Sequence, residues 1–310
     1  MKKDMHDWKA LLAEEIGRSP IGRDASSSLR QEEWEAIDTE TVEQVRRVLT
    51  ARNLLNAGGA IDTSLKGAGW TQVKRYKRGT RRPAKTDMSG EPASPDHTTL
   101  TESTLPIPIH HAEWGMFWRN LEASRNGREP LDVTEPREAG LEVATQEDTF
   151  FYLGDSDLSI DGILNATNRQ TVTAGAWSTD ANAAYDNVLE AVDEKLKVQN
   201  IVGRPKLVIH PTNMKQLRRR FGSGDSNTPL KQILDAGLLR IEDIFVTTVR
   251  AAGKPVLVVP ERPYMKAWLP VDVTSEGLPS QGKNPQGTTW SASTLDIRNA
   301  NAIVEIATVS

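Results

Sequence analysis

The apolar positions of this chain recur with different rhythms in different stretches, and each rhythm predicts an element. Residues 1–27 read as a loose arm, with a short helix at 8–16 that "GRSPIGRDASSS" breaks. A clear helix follows. Ser28 and Gln31 have capping-box spacing, and Trp34, Ile37, Val42, Val45, Val48 and Leu49 recur at helical intervals to about Leu55. "NAGGA" stops it, with Gly58 and Gly59 free to take positive φ. From about 56 to 104 the rhythm fades, and Gly, Pro, Ser, Thr and basic residues dominate. So little core-forming material is unusual inside a compact domain. The weak alternation of Trp70, Val73 and Tyr76 predicts a projecting β-ribbon.

Order returns with "TLPIPIHHAEWGMFWRNLEASR". Strand character near Ile107 and Ile109 gives way to a helix from about Glu113. A long helix comes next, with Thr134 as N-cap, Pro136 in the first turn and Gly154 as the stop. Leu141, Ala144, Phe150 and Phe151 supply its apolar side. The second half alternates helices at 182–198, 211–221 and 230–237 with strands at 206–209, 244–247 and 256–259. Further strands are expected at 265–269, 289–297 and 302–308. This is α+β with a mixed sheet, without a repeated βαβ rhythm or an internal repeat.

Composition narrows the function. The 310 residues carry a net charge of −4 and only 37% hydrophobic residues, with a mean hydropathy of −0.49. That predicts much surface per residue, or segments that find their burial on neighbours. Without cysteine, disulfides, thiolate nucleophiles and Cys-based zinc sites are excluded. The first residues lack the apolar run of a signal peptide. Apolar runs such as "VLVV" are far below the ~20 residues that span a bilayer. A soluble cytoplasmic protein with no membrane partner is expected.

Candidate chemistry is sparse. His110 and His111 alternate along a strand, so they face opposite ways; with His6, His97 and His210 they read as structural or surface residues. Glu147 and Asp148 sit beside Phe150 and Phe151, where a buried carboxylate would have a raised pKa and act as an acid. The plainer reading, preferred here, is a helix with one charged and one apolar edge. The loop "GSGDSN" (Gly222, Ser223, Gly224, Asp225, Ser226, Asn227) lacks the Lys and Ser/Thr of a phosphate loop. No G-x-S-x-G elbow is present. No enzyme, cofactor or metal is expected. The sharpest signal is "TQVKRYKRGTRRPAK", which sets Lys74, Arg75, Lys77, Arg78, Arg81, Arg82 and Lys85 around Tyr76. It meets the crude footprint of a nucleic-acid site, and equally that of a solvated arm pairing with acids elsewhere.

The order of these features resembles the encapsulin shell proteins. "EEWEAIDTETVEQVRRVLTARNLLNAGGAIDTSLKGAGW" resembles their opening helix and turn, through Trp34, Ile37, Leu49, Arg52 and the glycines after it. "NLEASRNGREPLDVTEPREAGLEVATQEDTFFYLGDSDLSIDGILN" resembles their spine segment, through Arg125, Gly127, Ala144, Glu147, Asp148, Phe151, Gly154, Gly162 and Ile163. "PKLVIHPTNMKQLRRRFGSGDSNTPLKQILDAGLLRIEDIFVT" resembles the segment ending in the loop at the capsomer axis. The likeness covers roughly residues 29–310.

Encapsulins are similar to the major capsid proteins of tailed phages, the Hong Kong 97-type fold. The resemblance implies an arm (1–27), an N-terminal helix (28–55) and an extended loop (56–104). It implies a peripheral domain (105–158, completed by strands in 266–310) and an axial domain (159–265). Lys74 to Lys85 would then lie in the inter-subunit loop and Gly222 to Asn227 at the capsomer axis. Glu135, Glu138, Glu142, Glu147, Phe150 and Phe151 would lie on the spine helix. The implied partners are other copies, as pentamers and hexamers, together with non-specifically packaged DNA and scaffold, portal or decoration proteins. The longer arm and the insertion "RRPAKTDMSGEPASPDHTT" favour a viral capsid, located in the virion and assembled in the host cytoplasm. The alternative is an encapsulin compartment around a protein cargo. The basic ribbon is expected across a neighbour, against Glu135, Glu138 and Glu142.

Overall fold

The computed structural model describes residues 29–78, 100–175, 177–178, 180, 182–220, 227–249, 253–279 and 283–308. The expected arm helix at 8–16 lies outside the described residues. The chain divides into two units: the chain up to Asn53 with Ile109–Phe150 and Val271–Ser293, and Leu54–Pro108 with Phe151–Pro270 and the chain from Thr294 onward.

The first unit begins with helix α1 (Gln31–Val48). Its entry is fixed by Glu33, whose carboxylate accepts the Arg30 backbone N–H at 2.7 Å and is itself gripped by Arg125 at 2.8 and 3.0 Å. Arg30, not Ser28, is therefore the N-cap. Burial works to raise the Glu33 pKa, but the bond from Arg125 lowers it overall. Leu49 leaves helical geometry (ψ 65), and a second helix, α2 (Thr50–Ala57), starts at once. The single helix read from the sequence is two. The break has a physical cause, because the Asp148 carboxylate accepts the Ala51 N–H at 2.7 Å and the Thr50 hydroxyl at 2.9 Å. It caps the new helix from a distant position in the chain.

Strand β4 (Ile109–Gly115) runs antiparallel to Gln286–Ala292 of β12 (Gln286–Ile297). His110 and Trp114 are buried while Ile109, His111 and Glu113 are exposed, the period-two pattern of a strand. The helix expected from Glu113 starts later, as α3 (Trp118–Arg125), because β12 holds the chain extended through Gly115. Trp114 meets Trp34 edge-on, with ring centroids 5.8 Å apart. Leu29, Ile37, Met116, Leu121 and Ala139 complete that cluster. Helix α4 (Thr134–Leu153) buries Ala139, Val143, Ala144 and Phe150. Asp132 anchors its start by accepting the Thr134 N–H at 3.1 Å. Gly140 faces the Thr41 methyl so closely that a Cβ would collide.

The second unit is built on a five-stranded sheet in the order β7-β13-β10-β8-β9. These are β7 (Gln170–Ala174), β13 (Ile303–Thr308), β10 (Val256–Val258), β8 (Lys206–Ile209) and β9 (Ile244–Val246). β13 with β7 and β8 with β9 are parallel, and β10 is antiparallel to both its neighbours. The sheet is mixed, as expected. Leu207, Ile209, Leu257, Val304 and Ile306 form its apolar centre with Val188, Leu196, Leu217 and Ile233. Helix α5 (Ala183–Glu190) continues as a π-helix, Ala191–Lys197, and Glu190 at the end of the one pairs with Lys195 of the other at 3.8 Å. Gln170 donates to the Lys195 carbonyl at 3.3 Å, satisfying a group near the π-helix end.

Two longer elements contribute to both units: β11 (Met265–Leu278) and β12. The two-residue β1 (Ile61–Asp62) lies parallel to β11 at Ala267 and Trp268, and the two-residue β5 (Gly154–Asp155) and β6 (Ile160–Asp161) pair antiparallel with each other. The expected ribbon is present, as β2 (Gln72–Arg78) antiparallel to β3 (Leu100–Pro106). Among the described residues, no helix is long and apolar enough to cross a membrane.

Candidate self-assembly surfaces

The ribbon is a surface without a core of its own. Tyr76 is 61% and Trp70 46% exposed, and among the strand residues whose burial is described only Leu105 is sunk, at 2%. An isolated two-stranded ribbon is marginal in water, so this one needs support. Part of it comes from the same chain. Lys74 pairs with Glu102 across the two strands at 2.6 Å, and that bond raises the lysine pKa. Arg75 donates to Ser103 at 2.8 Å and to Asp296 at 3.2 Å. The acids missing from 71–85 are thus supplied by the return strand and by β12. Lys77 and Arg78 lie on β2. Arg81, Arg82 and Lys85 fall outside the described residues.

Helix α4 carries an exposed acidic stripe. Glu135, Glu138 and Glu142 are exposed, with Leu141 at 38% among them. Positions three and four apart share a helix face, so these acids form one stripe. Phe150 and Phe151 point inward, at 4% and 0% exposure.

Glu147 and Asp148 correct the preferred sequence reading, because neither is a charged outer edge. Glu147 is fully buried and Asp148 nearly so. Arg52 grips Glu147 through Nε at 2.5 Å and Nη2 at 2.7 Å, and the Ser291 hydroxyl donates to its Oε2 at 2.7 Å. Arg52 also reaches Asp272. Burial works to lower the Arg52 pKa, but Asp272 and Glu147 raise it overall. Burial likewise works to raise the Asp272 pKa, and the Arg52 charge lowers it overall. Burial raises the Asp148 pKa to about 6, against the bonds from Ala51 and Thr50. Every Glu147 and Asp148 oxygen is engaged by protein donors. The cluster therefore has the geometry of a structural joint between α2, α4 and β12, with no oxygen turned toward a substrate.

His110 meets Phe150 at a tilt, with ring centroids 5.1 Å apart, and lies 3.4 Å from the Ser293 hydroxyl, while His111 is exposed. His210 accepts the Thr212 N–H at 3.2 Å as the cap of α6 (Pro211–Leu217). Gly222 to Ser226 lie outside the described residues. Asn227 is exposed and accepts from Lys231 Nζ at 3.3 Å, beside Thr228, which caps α7 (Pro229–Asp235). Among the described residues, no three His, Asp or Glu side chains are grouped to hold a metal. Sequence reasoning missed Asp272, Ser291 and Asp296. Asp296 alone left a signal, as an acid between Leu295 and Ile297 in "STLDI".

Known proteins resemble this chain in sequence and fold. The Linocin_M18 family, described as the encapsulating protein for peroxidase, matches residues 22–276. The type 1 encapsulin shell protein EncA of Myxococcus xanthus is 27% identical over 279 residues, covering 90% of this chain and 93% of the relative. A diheme-cytochrome-encapsulin shell fusion protein of Kuenenia stuttgartiensis is 28% identical over 194 residues, 63% of this chain and 51% of that protein. The match thus spans about half of the fusion. Among solved structures, a virus-like particle from Pyrococcus furiosus superposes with a TM-score of 0.61 at 16% identity, covering 88% of this chain and 98% of that one. The capsid of the Myoviridae phage XM1 does so with 0.61 at 15% identity, covering 82% and 91%. The fold is the α+β Hong Kong 97-type capsid fold.

Proposed function

From the premise that the chain belongs to the Linocin_M18 family of encapsulating shell proteins, we propose that it is the subunit of a closed compartment around a protein cargo. As a member of that family it is a structural, shell-forming protein. The observation that carries the finer reading is the end-to-end likeness to an encapsulin shell protein, 93% of whose length is matched. A peroxidase, the cargo in the family description, is the first candidate content. This reverses the preference that the arm length and loop insertion suggested. The second reading, a tailed-phage capsid enclosing DNA, is supported by the superposition on the XM1 capsid. In that reading the shell is a virion and hexamers accompany pentamers.

In either reading the partner is another copy of this chain. The ribbon (Lys74 to Lys85) lies on a neighbour, with the acidic stripe Glu135, Glu138 and Glu142 facing its cations. The loop from Gly222 to Asn227 lies at the capsomer axis. Exposed ion pairs contribute roughly 0–1 kcal/mol each; repeated around a shell they add up, and salt weakens them. Apolar contacts supply most of the adhesion. The shell assembles in the cytoplasm and needs no catalytic residue.

The test is to express the chain alone and image it by electron microscopy, with mass spectrometry and nuclease digestion of the contents. Small uniform shells are expected from the chain alone, and a co-purifying protein inside them when they are isolated from the source cells. Large shells, tubes or sheets that protect DNA would transfer the assignment to the viral reading. A monomer that binds DNA without assembling would sink both.

A further inference from the structure

The ribbon grows from a root that is stapled at several points. On the incoming side, Arg262 donates to the Gly59 carbonyl at 3.0 Å and to the Ile61 carbonyl at 3.1 Å. Lys266 pairs with Asp62, and the Gly67 N–H donates to the Pro270 carbonyl at 3.1 Å. These bonds fix the chain that leads up to the ribbon. The ribbon proper is held at Arg75. Its Nε ties the two strands together through Ser103, and its Nη1 reaches Asp296 Oδ1 at 3.2 Å. The other Asp296 oxygen accepts from Arg298 Nε at 3.1 Å. Arg298 lies 6.0 Å from the centre of the Trp268 ring, and Lys266 lies 4.8 Å from the same ring. A single carboxylate, 4% exposed, therefore joins the ribbon to a stacked cation–aromatic group.

The bland account is that Asp296 is a buried acid that needs partners, and that Arg75 and Arg298 are those partners. Three features favour a second role. Asp296 has Arg298 beside it already, so the reach of Arg75 adds a tie that neutralisation does not require. Arg75 stands in the middle of β2 and is only 24% exposed, whereas its neighbours Lys74 and Tyr76 project into solvent. The ribbon also has leverage. A seven-residue strand is about 23 Å long at ~3.3 Å per residue, so a turn of about 10° at the root moves the tip by about 4 Å. Building on the shell reading above, we infer that Asp296 is a positioning residue: it sets the direction of the ribbon and thereby the curvature at which copies join.

The test compares Arg75→Gln, Asp296→Asn and Arg75→Lys with Lys74→Gln, whose pairing with Glu102 stays within the ribbon. Hydrogen exchange of the purified full chain gives the first readout. Amides of 72–78 and 100–106 exchange about tenfold faster in Arg75→Gln and Asp296→Asn, as expected for loss of one charge-assisted tie. Arg75→Lys and Lys74→Gln stay near wild type, and the thermal midpoint of Arg75→Gln is unchanged. Particle diameter by electron microscopy gives the second. Arg75→Gln shifts or broadens it, and Arg75→Lys restores it. Wild-type exchange together with wild-type diameter in Arg75→Gln overturns the inference, and faster exchange with an unchanged diameter overturns the link to curvature. If Asp296→Asn fails to fold, the partly exposed Arg75 carries the test. If the wild-type chain forms no particles, the shell reading fails, while the exchange data still judge the tie.

Discussion

At the centre of the five-stranded sheet, Leu207, Val208, Val256 and Leu257 are buried on both faces with no polar atom among their side chains. At the centre of the other unit, the packing of α4 against β12 is occupied by Glu147, held by Arg52 and Ser291. One region is held by area removed from water, which adapts to small changes and is gained in increments of ~25 cal/mol per Å². The other is held by charges whose desolvation is tolerable only while every partner is present. The comparison teaches where each unit is brittle. The sheet loses stability roughly in step with the atoms removed. The ionic joint keeps nearly all of its stability or loses it at one substitution.

The largest expected effect breaks the joint. Arg52→Ala leaves Glu147 buried without its cation and should cost ~3–5 kcal/mol. Urea unfolding followed by a probe in residues 109–150 should show that unit melting first. A change below ~1 kcal/mol would mean that the joint carries no load. Next comes the sheet. Leu257→Ala should cost about 3 kcal/mol through lost burial and a cavity, with the transition reported from the other unit unaltered.

The smallest effect sharpens the comparison by pH. The Asp148 pKa is raised from 3.8 to about 6 in the folded chain. Between those values the folded state binds the proton more tightly than the unfolded chain. The contribution of Asp148 to stability therefore falls as pH rises from about 4 to about 6, and is level above that. Asp272 has the opposite sign, and its contribution is lost only on further acidification, because its pKa is lowered. Asp148→Asn keeps an acceptor for the Ala51 N–H and should stabilise the chain at pH 7 by on the order of 1–2 kcal/mol. The gain should vanish near pH 4, and thermal melts across that range would reveal it. A gain that persists at pH 4 would point to a cause other than titration.

The sequence carried the apolar unit better than the ionic one. Lys206–Ile209 was legible as a strand with its observed bounds, and Ile244–Val246 nearly so, because runs of branched apolar residues have few other uses. Gln170–Ala174 was not, since "QTVTA" offers one large apolar residue, Val172, and its pairing with β13 decides its state. The π-helix was invisible too, because Val188, Val192 and Leu196 keep helical spacing whichever way the backbone bonds run. Position alone hid the joint. Glu147 and Asp148 look like any exposed helix acids until Arg52, 95 residues away, and Ser291 close around them. On the exposed surface, the acidic stripe of α4 and the ribbon could be read from spacing. The internal pairing of the ribbon cations could not, because Glu102 and Asp296 sit far along the chain.

The long strand β12 serves both units. Gln286–Ala292 pair with β4 at one end, and Asp296 holds Arg75 near the other. Side chains alternate along a strand, so a one-place slip would turn both ends inside out together. A chain with that fault would lose its seat for Trp114, against which Gly287 lies, and its grip on the ribbon in the same stroke. Such a copy would be spoiled throughout instead of half right.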